Sequence, residues 1–164
     1  MDVFLATAPL DMKIADKRER EHEGARRILA MMLGHEASIG HDASGAPYVE
    51  GRRDLFISVS HCADTAAVAV SRDCPVGVDI ERPSPRLERV VPRVMHSDEP
   101  SGIDPLRAWT AKEAVFKCAA SPGMVLSDIC LDATATMAVT PDGTRFAVCH
   151  TATGLALAVR LPKE

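Results

Sequence analysis

The pattern of apolar and polar positions along the chain predicts helices that alternate with short strands. Helices are expected over 15–33, 87–95 and 105–120, with Gly34 ending the first and Pro122 and Gly123 stopping the last. Short β-branched runs between turn residues predict strands over 3–8, 55–61, 66–71, 76–81, 129–131, 135–139, 145–150 and 155–161. Glycine and proline between residues 40 and 53 indicate a loop, and the three strands after it are predicted to form an antiparallel meander.

Composition narrows the class of protein. The 164 residues carry a net charge of -4 and no long run of lysine or arginine, which argues against sequence-independent binding of nucleic acid. The cysteines show no Cys-x-x-Cys spacing, so neither a disulfide framework nor a zinc site is indicated. Because the chain shows no leader-like N-terminus and no apolar stretch of about 20 residues, we expect a cytoplasmic protein without a membrane span.

The chain resembles itself when it is shifted by 89 residues, which carries His61 onto His150. The same shift places residues 23–29 of the first helix on residues 112–118 of the last. Helix, loop and strand pair recur in the same order, which is more than an alanine-rich composition alone should yield. An ancient duplication and a chance match are both consistent with this signal.

Two carboxylates lie close together in the strand predicted over 76–81. Alternate side chains of a strand share a face, so Asp79 and Glu81 should project together from an exposed face while Val78 and Ile80 turn to the core. Such a pair of hard oxygen ligands suits Mg²⁺, which completes its shell with water and substrate phosphate. Taken alone, the pair fits the solvated acidic edge of a strand better than a metal site.

The last predicted helix carries an acid between two cations. Helical spacing puts Glu113 and Lys117 on the same side as Trp109, with Lys112 on the flank. A solvated ion pair over ordinary core aromatics would produce the same spacing, so the helix alone does not distinguish a site from a surface.

Ser60 and His61 stand at the end of the strand predicted over 55–61, where their side chains could donate hydrogen bonds to phosphate. A lone histidine at such a place is more often structural. Ser60 lacks a Gly-x-Ser-x-Gly elbow, and the sequence has no glycine-rich phosphate loop of the Rossmann or Walker kind.

Taken together and in this order, three segments closely resemble the signature of the 4′-phosphopantetheinyl transferases of the surfactin-synthetase-activating (Sfp) type. These segments are Ser60-His61, residues 77–81 and residues 109–117. Residues 45–48 and 95–99 are similar to two further motifs of the family. The resemblance therefore covers about residues 18–117, with weaker similarity beyond them.

The resemblance implies an α+β fold of two similar α/β halves, 1–82 and 83–164, with the active site at their junction and a monomer with an internal pseudo-two-fold axis. It implies transfer of the 4′-phosphopantetheine group of coenzyme A to a serine of an acyl or peptidyl carrier protein, with release of 3′,5′-adenosine bisphosphate. By the same resemblance, Mg²⁺ would be held by Asp79, Glu81 and Glu113. Coenzyme A would be bound by Ser60, His61, Lys112, Lys117, Arg27 and Arg18, with Glu113 and Lys117 also taking part in catalysis.

Departures from the family pattern leave other functions open. Ala46 stands where the family usually has a phosphate-binding lysine, Cys62 follows His61 where serine is common, and the connector of residues 82–108 is short. The chain could instead be a non-catalytic or weakly active coenzyme A-binding module, or a structural protein with an acidic edge. Retention of all three acidic positions favours the enzyme. The sequence does not specify whether its carrier serves fatty-acid, polyketide or nonribosomal-peptide synthesis.

Overall fold

The computed structural model describes residues 2–162, which fold into two antiparallel sheets, a separate hairpin and three α-helices. The helices are α1 (Lys17–Leu33), α2 (Pro85–Val90) and α3 (Pro105–Ala119), and two 3₁₀ turns span Val91–Arg93 and Leu126–Asp128. The strands are β1 (Val3–Pro9), β2 (Ile39–His41), β3 (Pro47–Val49), β4 (Phe56–Cys62), β5 (Thr65–Ser71), β6 (Val76–Ile80), β7 (Cys130–Leu131), β8 (Met137–Val139), β9 (Arg145–His150) and β10 (Leu155–Arg160). No helix in this part of the chain is both long and apolar enough to cross a membrane. The mixture of helices and antiparallel sheets confirms the predicted α+β class.

Helix α1 packs against a three-stranded sheet in the order β1-β5-β4. The helix begins after Asp16, whose side chain accepts a hydrogen bond from the N–H of Glu19 at 2.7 Å. It ends at Gly34, which adopts the left-handed conformation with a φ of 75°. Ile28 and Leu29 are fully buried between helix and sheet. Because both caps are local, the predicted bounds of α1 agree with the structure to within two residues at its start.

Helix α3 packs against a five-stranded sheet in the order β6-β10-β9-β8-β7. Pro105 stands in its first turn, and the side chain of Asp104 accepts a hydrogen bond from the N–H of Arg107 at 2.9 Å. Small buried residues let the helix approach the sheet closely: Ala108, Ala111 and Ala114. The two sheets share one order of elements along the chain: a first strand (the leading strand, β1 or β6) is followed by a helix and later by a hairpin. The second strand of that hairpin, β5 or β10, pairs with the leading strand.

Strand β6 joins the second sheet and not the first. It pairs with β10, with Val78 opposite Leu157, so the predicted meander is wrong for its third strand. Strands β4 and β5 do form the hairpin that the meander required. The first residue along the chain that pairs within the second sheet is Val76. It precedes the boundary expected between residues 82 and 83. Periodicity identifies a strand and its two faces, but it does not identify the neighbouring strand.

The segment predicted as a loop between residues 40 and 53 contains a hairpin of β2 and β3. Gly40 lies opposite Tyr48, and a Cβ at Gly40 would come within 2.5 Å of the Tyr48 ring. This glycine therefore leaves space for an aromatic side chain across the hairpin and does not interrupt the strand.

Gly77 marks the place where α3 comes closest to β6. A Cβ at this position would lie 1.9 Å from the carbonyl oxygen of Ala114 and 2.8 Å from the amide nitrogen of Cys118. Both are backbone atoms, so a side-chain rotation cannot relieve the overlap and α3 would have to move away from the sheet. We expect Gly77→Ala to lower the free energy of unfolding by about 3 kcal/mol, measured by urea denaturation.

Gly34→Ala is the matched control for this prediction. Among the described residues, no packing neighbour lies within 4 Å of the place that a Cβ at Gly34 would occupy, so only its positive φ opposes the substitution. We expect a loss of about 1 kcal/mol for this variant. If Gly77→Ala were no more destabilising than Gly34→Ala, the close approach of α3 to β6 would be incorrect.

Candidate active site

The acidic face of β6 is covered by α3 and not by solvent. Gly77 and Asp79 share this face, because alternate residues of a strand point the same way. The close approach of α3 over Gly77 leaves Asp79 only 7% exposed. The prediction that Asp79 projects from an exposed face is therefore wrong, since alternation defines the face of a strand but not what packs against it.

Two donors reach the same oxygen of the buried Asp79 carboxylate. The Oγ of Ser60 donates a hydrogen bond to Oδ1 at 2.8 Å, and the Nζ of Lys117 forms an ion pair with that oxygen, also at 2.8 Å. Lys117 donates a further hydrogen bond to the carbonyl of Val78 at 3.0 Å. The lysine therefore compensates the buried negative charge and ties α3 to β6.

Glu113 lies one helical turn before Lys117 on α3, and the charges of Lys117 and Asp79 both act on its carboxyl group. Burial raises the pKa of Glu113, and the charge of Asp79 raises this pKa further, while Lys117 acts in the opposite direction. Asp79 and Glu113 are therefore close enough to repel each other electrostatically. A divalent cation between two such carboxylates would replace this repulsion by attraction.

Glu81 directly follows β6 and is half-buried. Its Oε1 accepts hydrogen bonds from the thiol of Cys62 at 3.1 Å and from the N–H of Arg82 at 2.9 Å. Burial and the Glu81 carboxylate raise the pKa of Cys62 to about 11, so the thiol stays protonated and donates. The cysteine that departs from the family pattern thus contacts one of the predicted metal ligands.

The three predicted metal ligands do not form a closed site. Within residues 2–162, no three side chains of histidine, cysteine, aspartate or glutamate are grouped so that they could hold a metal ion by themselves. The donor set nevertheless fits Mg²⁺, which proteins usually bind through one or two carboxylates while substrate phosphates and water supply the other ligands. An open set of carboxylates, to which a bound phosphate could add ligands, meets that description.

A cavity of about 1230 Å³ opens between α1, the β2–β3 hairpin, β4 and the end of α3, and Asp79, Glu81 and Glu113 are not among the residues that line it. It exceeds the usual ligand-pocket range of about 300–1,000 Å³ and has room for a nucleotide-sized molecule. Of the residues predicted to bind coenzyme A, Arg18, His61 and Lys117 line this cavity. Ala46 also lies on its wall. Lys117 therefore connects the Asp79 carboxylate with the cavity.

His61 is half-buried in the cavity wall. Burial lowers the pKa of His61, the charge of Glu21 opposes this shift, and Lys117 adds to it. The imidazole is therefore neutral near pH 7 when the cavity holds no anion. A phosphate group placed against His61 would favour the charged ring and raise its pKa.

Lys112 lies away from the cavity. Its side chain is fully buried, and its Nζ forms an ion pair with Glu99 at 2.6 Å and donates hydrogen bonds to the carbonyls of Leu126 and Ile129. Burial lowers the pKa of Lys112, while Glu99 acts against this shift. The expectation that Lys112 faces the coenzyme A phosphates is wrong, because its ammonium group is surrounded by protein acceptors.

Glu99 is the residue whose importance the sequence pattern did not reveal. Its side chain is 1% exposed, its Oε2 accepts from the N–H of His96 at 2.7 Å, and its Oε1 accepts from the N–H of Leu131 at 2.9 Å. Together with Lys112 it fastens the connector between the sheets to α3. The similarity of residues 95–99 to a family motif was the available signal.

Two further predicted phosphate contacts do not reach the cavity. Ser60 is 5% exposed, and its hydroxyl is occupied by Asp79 and by the N–H of Ile80. Arg27 is exposed on α1 and is not among the residues that line the cavity. The structure thus gives Ser60 a carboxylate partner in place of the expected phosphate, and it gives Arg27 no position in the site.

A smaller cavity of about 380 Å³ lies on the other side of Phe116, which lines both cavities. Its wall is formed mainly by apolar residues and contains Glu113. Glu113 therefore lines this smaller recess and not the large cavity, while Phe116 forms part of both walls.

Comparison with known proteins adds independent information on the family. Residues 75–159, just over half of the 164 residues, match the family model of the 4'-phosphopantetheinyl transferase superfamily. The chain is 36% identical over 117 residues to enterobactin synthase component D of Salmonella austin, across 62% of this chain and 47% of the relative. It is 33% identical over 118 residues to the protein of the same name from Salmonella typhi, across 62% of this chain and 48% of the relative. The chain thus spans about half the length of these curated relatives. The family match includes Asp79 on β6, Glu81 directly after β6 and Glu113 on α3, and the chain therefore belongs to the 4′-phosphopantetheinyl transferase superfamily.

Proposed function

We propose that this protein transfers the 4′-phosphopantetheine group of coenzyme A to a serine of an acyl or peptidyl carrier protein, in a reaction that requires Mg²⁺. The observation that carries this proposal is that Lys117 lines a nucleotide-sized cavity and also pairs with Asp79, while the charges of both residues act on Glu113. Membership of the superfamily supports the same reaction. Neither the cavity nor the acidic residues alone would favour it over simple nucleotide binding.

The cavity holds the nucleotide end of coenzyme A in this proposal. Arg18, His61 and Lys117 present positive or hydrogen-bonding groups to its phosphates. The carboxylates of Asp79, Glu81 and Glu113 would hold the metal ion. Bound Mg²⁺ would neutralise the charge that develops on the pyrophosphate oxygens.

The reaction is a displacement at phosphorus. The serine oxygen of the carrier forms a bond to the β-phosphorus of coenzyme A, and the bond from that phosphorus to the oxygen of 3′,5′-adenosine bisphosphate breaks. Glu113, or a water molecule that it holds, takes the proton of the serine, and its raised pKa makes it a stronger base than an ordinary glutamate. Lys117 stays beside the leaving group and compensates its negative charge.

The two sheets are proposed to descend from one duplicated unit. The recurrence at an offset of 89 residues between His61 and His150 and the shared order of leading strand, helix and hairpin support this origin. Because β6 pairs with β10, the junction between the two units lies near Val76 and the metal ligands come from the second unit. A monomeric state and a cytoplasmic location remain predictions.

Release of 3′,5′-adenosine bisphosphate tests the proposed function. Coenzyme A, Mg²⁺ and a panel of apo carrier proteins are incubated with the protein, and the nucleotide product is measured by liquid chromatography. Because the relatives are named as a component of enterobactin synthase, a carrier from such a synthase belongs in the panel. We expect release that requires both Mg²⁺ and the carrier serine, with a serine-to-alanine carrier as the matched control.

Binding without release would favour the non-catalytic alternative. In that case coenzyme A would raise the melting temperature of the protein, as any ligand of the folded state must, and no carrier would cause product release. If coenzyme A changed neither quantity, both the enzyme and the binding module would be incorrect.

A further inference from the structure

Two serines of β4 accept hydrogen bonds from backbone N–H groups on the edge of β6 that faces away from β10. The Oγ of Ser58 accepts a hydrogen bond from the N–H of Val78 at 3.0 Å, and the Oγ of Ser60 accepts one from the N–H of Ile80 at 3.3 Å. On both strands the participating residues are two apart, so hydroxyls from one face of β4 match the outward N–H groups of β6. The two sheets are therefore joined here through side chains and not through a backbone ladder.

Ser60 makes one contact that Ser58 does not. A hydroxyl has one hydrogen to donate, and Ser60 donates it to Oδ1 of Asp79 at 2.8 Å. Lys117 reaches the same oxygen, and within residues 2–162 no hydrogen bond is formed to Oδ2. The two donors thus fix the orientation of the carboxylate and leave its second oxygen without a hydrogen bond.

The position of Ser60 argues against direct contact with a ligand. The residue is 5% exposed and does not line either cavity. Its hydrogen is given to Asp79, and one of its lone pairs accepts from Ile80. A phosphate in the cavity would therefore have to displace an existing buried hydrogen bond in order to reach it.

We propose that Ser60 is a positioning residue that orients the Asp79 carboxylate for the metal ion and does not bind coenzyme A. The inference rests on the proposed function, because it takes Asp79 as a metal ligand. Partners that orient a ligating carboxylate typically change metal affinity about 10- to 100-fold when they are removed.

The test compares Ser60→Ala with Ser58→Ala. Both variants lose a hydroxyl that accepts from a β6 N–H, but only Ser60→Ala loses a contact to a carboxylate. Ser58 lines the large cavity whereas Ser60 does not, so the affinity for coenzyme A is determined for each variant and metal binding is compared only at saturation. Mn²⁺ replaces Mg²⁺ as a paramagnetic probe, and its affinity is measured from water proton relaxation in the presence of saturating coenzyme A. The affinity for coenzyme A is measured separately by calorimetry in the presence of a chelator.

We expect Ser60→Ala to weaken Mn²⁺ binding about 10-fold or more, with the affinity for coenzyme A in chelator changed by less than two-fold. Ser58→Ala should change Mn²⁺ binding by less than two-fold. It should lower the melting temperature by about as much as Ser60→Ala does. Ser60→Thr keeps the hydroxyl and should retain Mn²⁺ binding to within about three-fold. If Ser60→Ala fails to fold, Ser60→Cys, which donates only weakly, should show at least a five-fold loss.

Unchanged Mn²⁺ binding in the folded Ser60 variants would overturn the positioning role. A loss of coenzyme A affinity in chelator with normal Mn²⁺ binding would show that Ser60 contacts the nucleotide instead. Failure of the unsubstituted protein to bind Mn²⁺ at all would contradict the proposed metal site itself, which separates that failure from failure of the role of Ser60.

Discussion

Replacing Glu113 by glutamine should lower the rate of carrier modification by about 10²- to 10³-fold, because one charged group that stabilises the transition state is lost. We expect no loss of folding stability. Burial and the charge of Asp79 raise the pKa of Glu113, which means that folding makes its ionised form less favourable than it is in the unfolded chain. A neutral glutamine removes this unfavourable charge, so the melting temperature should stay the same or rise.

The rate is measured under single-turnover conditions, and stability is measured by thermal unfolding of the same preparations. Glu88→Gln is the control, because Glu88 is exposed on α2 and lies outside both cavities. Its activity and melting temperature should equal those of the unsubstituted protein. A Glu113→Gln variant with activity within five-fold of normal would remove Glu113 from the reaction, and joint loss of fold and activity would make its role structural.

Asp79→Asn is a less selective test of the same site. The buried Asp79 carboxylate neutralises Lys117 and accepts from Ser60, so the substitution disturbs packing as well as chemistry. For this reason Glu113→Gln distinguishes an effect on catalysis from an effect on stability better than Asp79→Asn does.

Replacing Lys112 by methionine should destabilise the protein by about 3–5 kcal/mol, because Glu99 would be left as a buried and unpaired charge. The pair is almost fully enclosed, with the side chains of Lys112 and Glu99 exposed by 0% and 1%. The loss is measured by urea denaturation. The double variant Lys112→Met with Glu99→Gln should recover part of this stability, since it removes the orphaned charge.

Lys117→Met is the contrasting control on the same helix. Lys117 is 29% exposed, and its partner Asp79 keeps the hydrogen bond from Ser60 when the lysine is lost. We therefore expect Lys117→Met to lower stability less than Lys112→Met does. Under conditions in which both variants are folded, Lys117→Met should lose more activity. Equal stability of Lys112→Met and the unsubstituted protein would contradict the buried ion pair.

The sequence predicted the local features of the fold well and the pairing of distant segments poorly. The ends of α1 are defined by Asp16 and Gly34, whose effects depend only on nearby residues. The partner of β6 is β10, more than seventy residues further along the chain, and no periodicity within either strand specifies that pairing. The hairpin of β2 and β3 was missed because its glycine serves cross-strand packing, which composition alone cannot distinguish from a loop.

For the site, the residue types were predicted better than their surroundings. Lys112 and Glu113 are neighbours on a helix and point about 100° apart, so one of them can be buried while the other is not. The family resemblance assigned them to the same site, whereas the structure buries Lys112 against Glu99. Likewise, the burial of Asp79 depends on the closeness of α3, which the sequence signals through small residues such as Gly77 and Ala114.

The central claim, transfer of phosphopantetheine to a carrier serine, is tested most directly by the intact mass of the carrier. An apo carrier protein is incubated with this protein, coenzyme A and Mg²⁺, and mass spectrometry follows the carrier before and after fragmentation. We predict a gain equal to one 4′-phosphopantetheine group, located on the carrier serine and absent with Glu113→Gln at the same time point. An unchanged carrier mass across the whole panel, with a folded protein that binds coenzyme A, would contradict the proposed transfer.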